Sequence, residues 1–131
     1  MNIGLMAHDA KKKLMQNLCI AYQGILRKHE LYATETTGRL VEEVANLSIN
    51  KFISGHLGGA RQMIAEIESN TVDLVIFLRD PQETSREEPD TDRVMRVCDI
   101  RNIPVATNLA TAELLIRALD RGDLEWREMY R

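Results

Sequence analysis

The chain has 131 residues, 44% hydrophobic and 28% charged, with a net charge of −3, a balance that fits one globular domain and excludes a disordered chain. The acidic balance leaves no electrostatic footprint for nucleic acid, and no apolar run is long enough to span a membrane. The opening "MNIGLMAHD" turns polar within a few residues, which excludes a signal peptide, and Cys19 and Cys98 lie in apolar-periodic stretches, as expected of reduced core thiols in a cytoplasmic protein.

The first apolar run, Ile3–Ala7, predicts a strand ending in "AHD". Helical spacing follows, with Leu14, Leu18, Tyr22 and Ile25 on one stripe and Met15, Cys19 and Leu26 beside it. Glu30–Thr34 predicts a second strand, then "TETTG" and a helix from about Gly38 to Asn46. Ile49–Ser54 predicts a third strand, which opens into "SGHLGGARQ" and a helix over Gly59–Asn70. Leu74–Leu78 lies within "DLVIFL", apolar enough for a strand covered on both faces. After the loop "RDPQETSREEPD" come a helix over Thr91–Arg101, a short strand at Pro104–Thr107 and a helix over Thr111–Arg121. Strand and helix alternate without linker or repeat. The expectation is one doubly wound α/β domain over residues 1–131, with a five-stranded parallel sheet flanked by helices.

Sheets of this kind bind ligands beyond the carboxyl ends of their strands, near a topological switch point. The segments that follow the predicted strands are rich in His, Asp, Glu, Thr, Ser and Gly. "TETTG" places the hydroxyls of Thr34, Thr36 and Thr37 at a strand-to-helix turn, where free amides favour an anion. Ser54, Gly55 and Lys12 would converge on the same anion. Simple capping by Thr36 or Thr37 explains the same residues. Asp9 reads equally as a cap or as a site residue. The acidic stretch from Asp80 to Asp92, whose only cation is Arg86, reads as a solvated face or as a site wall. Gly58 and Gly59 permit a ligand to approach the backbone, yet Ala60 after them has no acid or base group. No CxxC or HExxH spacing is present, so neither a metal site nor a cofactor is expected.

Taken together, "AHD" with Lys12, "LYATETTG", "SGHLGGARQ", "DLVIFLRDP", "EPD" and "IPVATNLATAE" resemble methylglyoxal synthases in order and spacing over nearly the whole chain. The resemblance implies a parallel sheet, a hexameric assembly, and conversion of dihydroxyacetone phosphate to methylglyoxal and phosphate without a metal. It assigns phosphate contacts to Lys12, Thr34, Thr36, Thr37, Ser54 and Gly55, and further active-site positions to His8, Asp9, Asp80 and Asp90. Departures from the family pattern are Glu35 for Gly, His56 for Pro, Ala60 for the proton-abstracting Asp, Arg61 for Gln and Glu87 for His. A general base contributes ~10²–10⁴-fold, so the resemblance implies a homologue of weak or no activity that binds a small phosphate-type anion. The alternatives are an active enzyme in which Asp9, Asp80 or Glu87 replaces the base, other chemistry using His8, His56, Glu35 and Glu87, or a regulatory or assembly subunit. A coupled pair is also expected, with Glu35, alone or with Arg61, filling the phosphate site.

Overall fold

Alternation along the first strand decides how the sheet is covered. In β1 (Asn2–Ala7), Ile3, Leu5 and Ala7 join one buried cluster and Met6 joins another. Gly4 shares the Met6 side, where an added Cβ would meet Met63 Sδ at 2.9 Å. The structure, a computed structural model, describes residues 1–52, 58–82 and 91–131, less the side chains of residues 58 and 59. A 3₁₀ turn at Asp9–Lys11 leads into α1 (Lys12–Ala21) and α2 (Gln23–Leu26), followed by β2 (Glu30–Thr34) and α3 (Glu35–Val44). Then come β3 (Ile49–Phe52), α4 (Gly58–Glu68), β4 (Leu74–Leu78), α5 (Thr91–Arg101), β5 (Val105–Ala106) and α6 (Leu109–Asp120).

Every strand pair is parallel, in the order β3-β2-β1-β4-β5. The five-stranded α/β sheet expected from the sequence is therefore present among the described residues. One face buries Met15, Leu18 and Cys19 of α1, Val41 of α3 and Ile116 of α6 against Leu5, Leu31 and Ile76. The other buries Met63 and Ile67 of α4 with Val94 and Cys98 of α5 against Met6, Val75 and Phe77. Burial pushes both thiols, Cys19 and Cys98, up to about 12, so they behave as small apolar side chains.

Several boundaries differ from the sequence reading. The first helical stripe is broken at Tyr22, whose backbone (φ −110°, ψ 22°) separates α1 from α2. Helix α3 starts at Glu35 rather than near Gly38, so Thr36 and Thr37 lie inside its first turn. Helix α6 starts two residues earlier than expected, because the Asn108 side chain accepts from Thr111 N and caps it. Strand β5 shrinks to Val105–Ala106; Pro104 has no N–H to give. The third predicted strand is described as far as Phe52; its last residues, 53 and 54, lie outside the described residues.

At the amino edge of the sheet sits a buried charge cluster. Asp73 is fully buried and Arg127, in the 3₁₀ turn Glu125–Met129, is 3% exposed. Arg127 Nε donates to Asp73 Oδ1 at 3.1 Å, and its other nitrogens donate to Asn70 Oδ1, Val72 O and Asn102 O. Asp73 Oδ2 accepts from the Asn2 amide and from Arg131, each at 2.8 Å. Asn70 and Asn102, at φ 61° and 57°, end α4 and α5 in the left-handed turn that asparagine tolerates.

Candidate functional site

The strand order reverses between β1 and β4, and that switch point is where the loop residues singled out from sequence begin. Ala7 pairs with Leu78, and Leu5 pairs with Ala33, so β1, β2 and β4 end level. Neighbouring strands lie ~4.8 Å apart, which brings the chain at His8, at Thr34–Glu35 and at Arg79–Asp80 to one edge.

His8 follows β1 and is 4% exposed. Its amide extends the ladder to Leu78 O at 3.1 Å, and its carbonyl accepts from Lys11 N at 2.8 Å. The imidazole meets the Phe77 ring edge-on at 5.1 Å and 72°. Its Nδ1 accepts from Asp80 N at 2.8 Å. The Asp80 carboxylate turns the other way and accepts from Gln82 N at 2.9 Å. Lys12, one turn on, curls back over the end of β1: its Nζ donates to Ala7 O at 3.0 Å and to Asp9 Oδ1 at 2.6 Å. The ammonium is half-sequestered, at 15% side-chain exposure against 79% for Asp9.

At the β2–α3 turn, Thr34 is the N-cap residue but its hydroxyl makes no capping bond. The first amides of α3 have no intrahelical acceptor. Thr36 is exposed, whereas Thr37 is 1% exposed and its Oγ1 has no hydrogen-bond partner among the described residues. A buried hydroxyl left unpaired costs about 1–3 kcal/mol, so this position invites an acceptor. Glu35 forms an ion pair with Arg39, one helical turn ahead. Arg61, the other member of the pair considered from sequence, is exposed and makes no ion pair with a described residue. Ala60 and Arg61 stand in the first turn of α4, with Ala60 half-buried.

Ser54, Gly55, His56, Glu87 and Asp90 fall outside the described residues. Of the remaining candidates, His8, Asp9, Lys12, Thr34, Glu35, Thr36, Thr37 and Asp80 sit on the β1, β2 and β4 ends of the carboxyl edge. Sequence reasoning missed the partners that hold them. Phe77 beside His8 reads as an ordinary core residue, and Arg39 as an ordinary surface charge. Among the described residues, no three His, Cys, Asp or Glu side chains gather as a metal-binding group, and no helix is long and apolar enough to cross a membrane.

A family model, the MGS-like domain, matches residues 15–107. A methylglyoxal synthase of Caldicellulosiruptor saccharolyticus is 57% identical over 98% of this chain and 92% of its own. One from Listeria welshimeri is 51% identical over 100% of this chain and 98% of its own. The crystal structure of methylglyoxal synthase from Elizabethkingia anophelis superposes with a TM-score of 0.83 at 37% identity, covering 88% of this chain and 76% of that one.

Proposed function

The chain belongs to the MGS-like domain family, and from that membership we propose that it binds a small phosphorylated ligand of the dihydroxyacetone phosphate class at the carboxyl edge of its sheet. Lys12, Thr34, Thr36, Thr37, Ser54 and Gly55 form the phosphate cradle in this reading. His8, Asp9, Asp80, Asp90 and Glu87 surround the carbon skeleton. The family's reaction removes a proton beside the carbonyl and expels phosphate from the enediolate. Ala60, at the position the resemblance gives to the base, has no group to remove that proton, so the reaction runs weakly or not at all. A substitute carboxylate is the competing reading, but Asp9 is engaged by Lys12 and Asp80 by the Gln82 amide. The Glu35–Arg39 pair offsets the negative charge that Glu35 brings to the turn.

The observation that carries the reading is the buried Thr37 hydroxyl in the first turn of α3, which has no hydrogen-bond partner among the described residues. It gives a test with two opposite readouts. Thr37→Val removes a hydroxyl that no described residue pairs, so the variant should unfold no more easily than the parent. Inorganic phosphate, in contrast, should bind roughly 10–100-fold more weakly, the value of a hydrogen bond to a charged group. Calorimetry showing equal phosphate affinity in the two proteins, or no affinity in either, would remove the cradle. A methylglyoxal assay with dihydroxyacetone phosphate separates the two catalytic readings directly: brisk turnover by the unmodified chain would establish a substitute base.

A cytoplasmic hexamer belongs to the same reading. Ile100, Leu114, Met129 and Tyr130 are 64–80% exposed, and such side chains suit contacts between subunits. Light scattering at micromolar concentration should give about six times the chain mass, and a monomer mass would defeat this part.

A further inference from the structure

His8 carries a constraint that the proposed cradle does not use. Its main chain is pinned to Leu78 O and Lys11 N, its ring is wedged against Phe77, and its Nδ1 lies 2.8 Å from the Asp80 amide nitrogen. A main-chain amide always carries its proton, so the Nδ1 it faces must offer a lone pair. In the neutral ring the single proton then sits on Nε2. Turning the ring over would place a carbon against the amide and strand a donor in a site only 4% exposed. Nε2 itself makes no hydrogen bond to a described residue.

We propose that the Asp80 main-chain amide is a positioning group that fixes His8 as the Nε2–H tautomer, so that His8 meets the ligand as a donor to a carbonyl or phosphoryl oxygen. A neutral imidazole can polarise such an oxygen by donation alone. The same geometry denies His8 the part of the base. Nε2 already holds a proton, and the lone pair of Nδ1 is turned into the protein. His8 therefore does not make good the group missing at Ala60, and the ligand it selects presents an acceptor at that point. The ligand half of this inference rests on the proposed function; the tautomer does not.

Long-range proton–nitrogen correlation spectra of the ligand-free, ¹⁵N-labelled protein near neutral pH test the tautomer. The chain has three histidines, and His8→Gln assigns the signals by their loss. A protonated Nε2 with a bare Nδ1 is expected. A protonated Nδ1, or an average of both forms, would overturn the proposal. Asp80→Ala and Asp80→Pro lose the same carboxylate, but only the proline variant loses the amide proton. The alanine variant should keep the single tautomer and the proline variant should mix the two. Mixing already in Asp80→Ala would overturn the role of the amide, and that comparison stands even where the proline variant fails to fold. Adding dihydroxyacetone phosphate should move the Nε2 proton downfield without changing the tautomer. Binding seen by calorimetry with no such movement would overturn the donor role. Absence of any binding would overturn the proposed function while the ligand-free spectrum still decides the tautomer.

Discussion

Ala60→Asp should raise the rate of methylglyoxal formation from dihydroxyacetone phosphate by about 10²–10⁴-fold, the usual contribution of a general base. Ala60 is half-buried in the first turn of α4, where the helix amides favour a negative charge by about 0.3–1 kcal/mol. The variant should therefore fold at least as well as the parent, and the gain in rate should appear in kcat more than in KM. In the proposed reading Glu87, where the family resemblance expects His, sets the ceiling. Ala60→Asp combined with Glu87→His should exceed Ala60→Asp alone. A parent enzyme that turns over briskly and is not accelerated by Ala60→Asp would show that another carboxylate already takes the proton. An inert Ala60→Asp that still binds phosphate would show that the site has moved to a different ligand.

The second large effect is one of stability. Arg127→Ala should cost about 3–5 kcal/mol, the usual result of removing one partner from a buried ion pair, and lower Tm by roughly 10–20 °C. Four hydrogen bonds leave with the guanidinium, and Asp73 stays fully buried with Arg131 as its remaining cation. The carbonyls of Val72 and Asn102 and the side chain of Asn70 lose a donor at the same time. Arg131→Ala, from a side chain 27% exposed, should cost about 1 kcal/mol. Thermal unfolding of both variants checks the contrast, and an Arg127→Ala loss below about 1 kcal/mol would mean that Asp73 finds another partner or water.

The strands were legible because burial on both faces leaves its mark in the residues themselves: every residue of Leu74–Leu78 is buried. The edge proposed to carry the site was legible too, since His, Asp, Thr, Ser and Gly gather in the segments that follow the apolar runs. The start of α3 was not. Threonine and glycine are poor helix formers, and only the extended backbone at Thr34 and the close packing of Gly38 on Lys51 and Ile49 show that the helix begins earlier. Contacts made by the backbone leave no signal at all in sequence. The amide that holds His8 is 72 residues away, and Arg127 finds its partners 25 to 57 residues back. Within "LEWREMYR" nothing distinguishes Arg127 from a solvated charge. The Glu35–Arg39 pair was readable as neighbours on one helix turn, but only once Glu35 is placed inside α3.

Asn2 and Arg131 meet on a single oxygen atom, Asp73 Oδ2, on the side of the sheet away from His8 and Thr37. The two ends of the described chain therefore lie close together, at the edge of the sheet opposite the one proposed for the ligand. A fluorescent reporter, an affinity handle or a second binding module can be attached there without standing in the ligand's path. Joining 131 back to 1 needs only a short bridge, so the chain lends itself to being reopened at an exposed turn elsewhere.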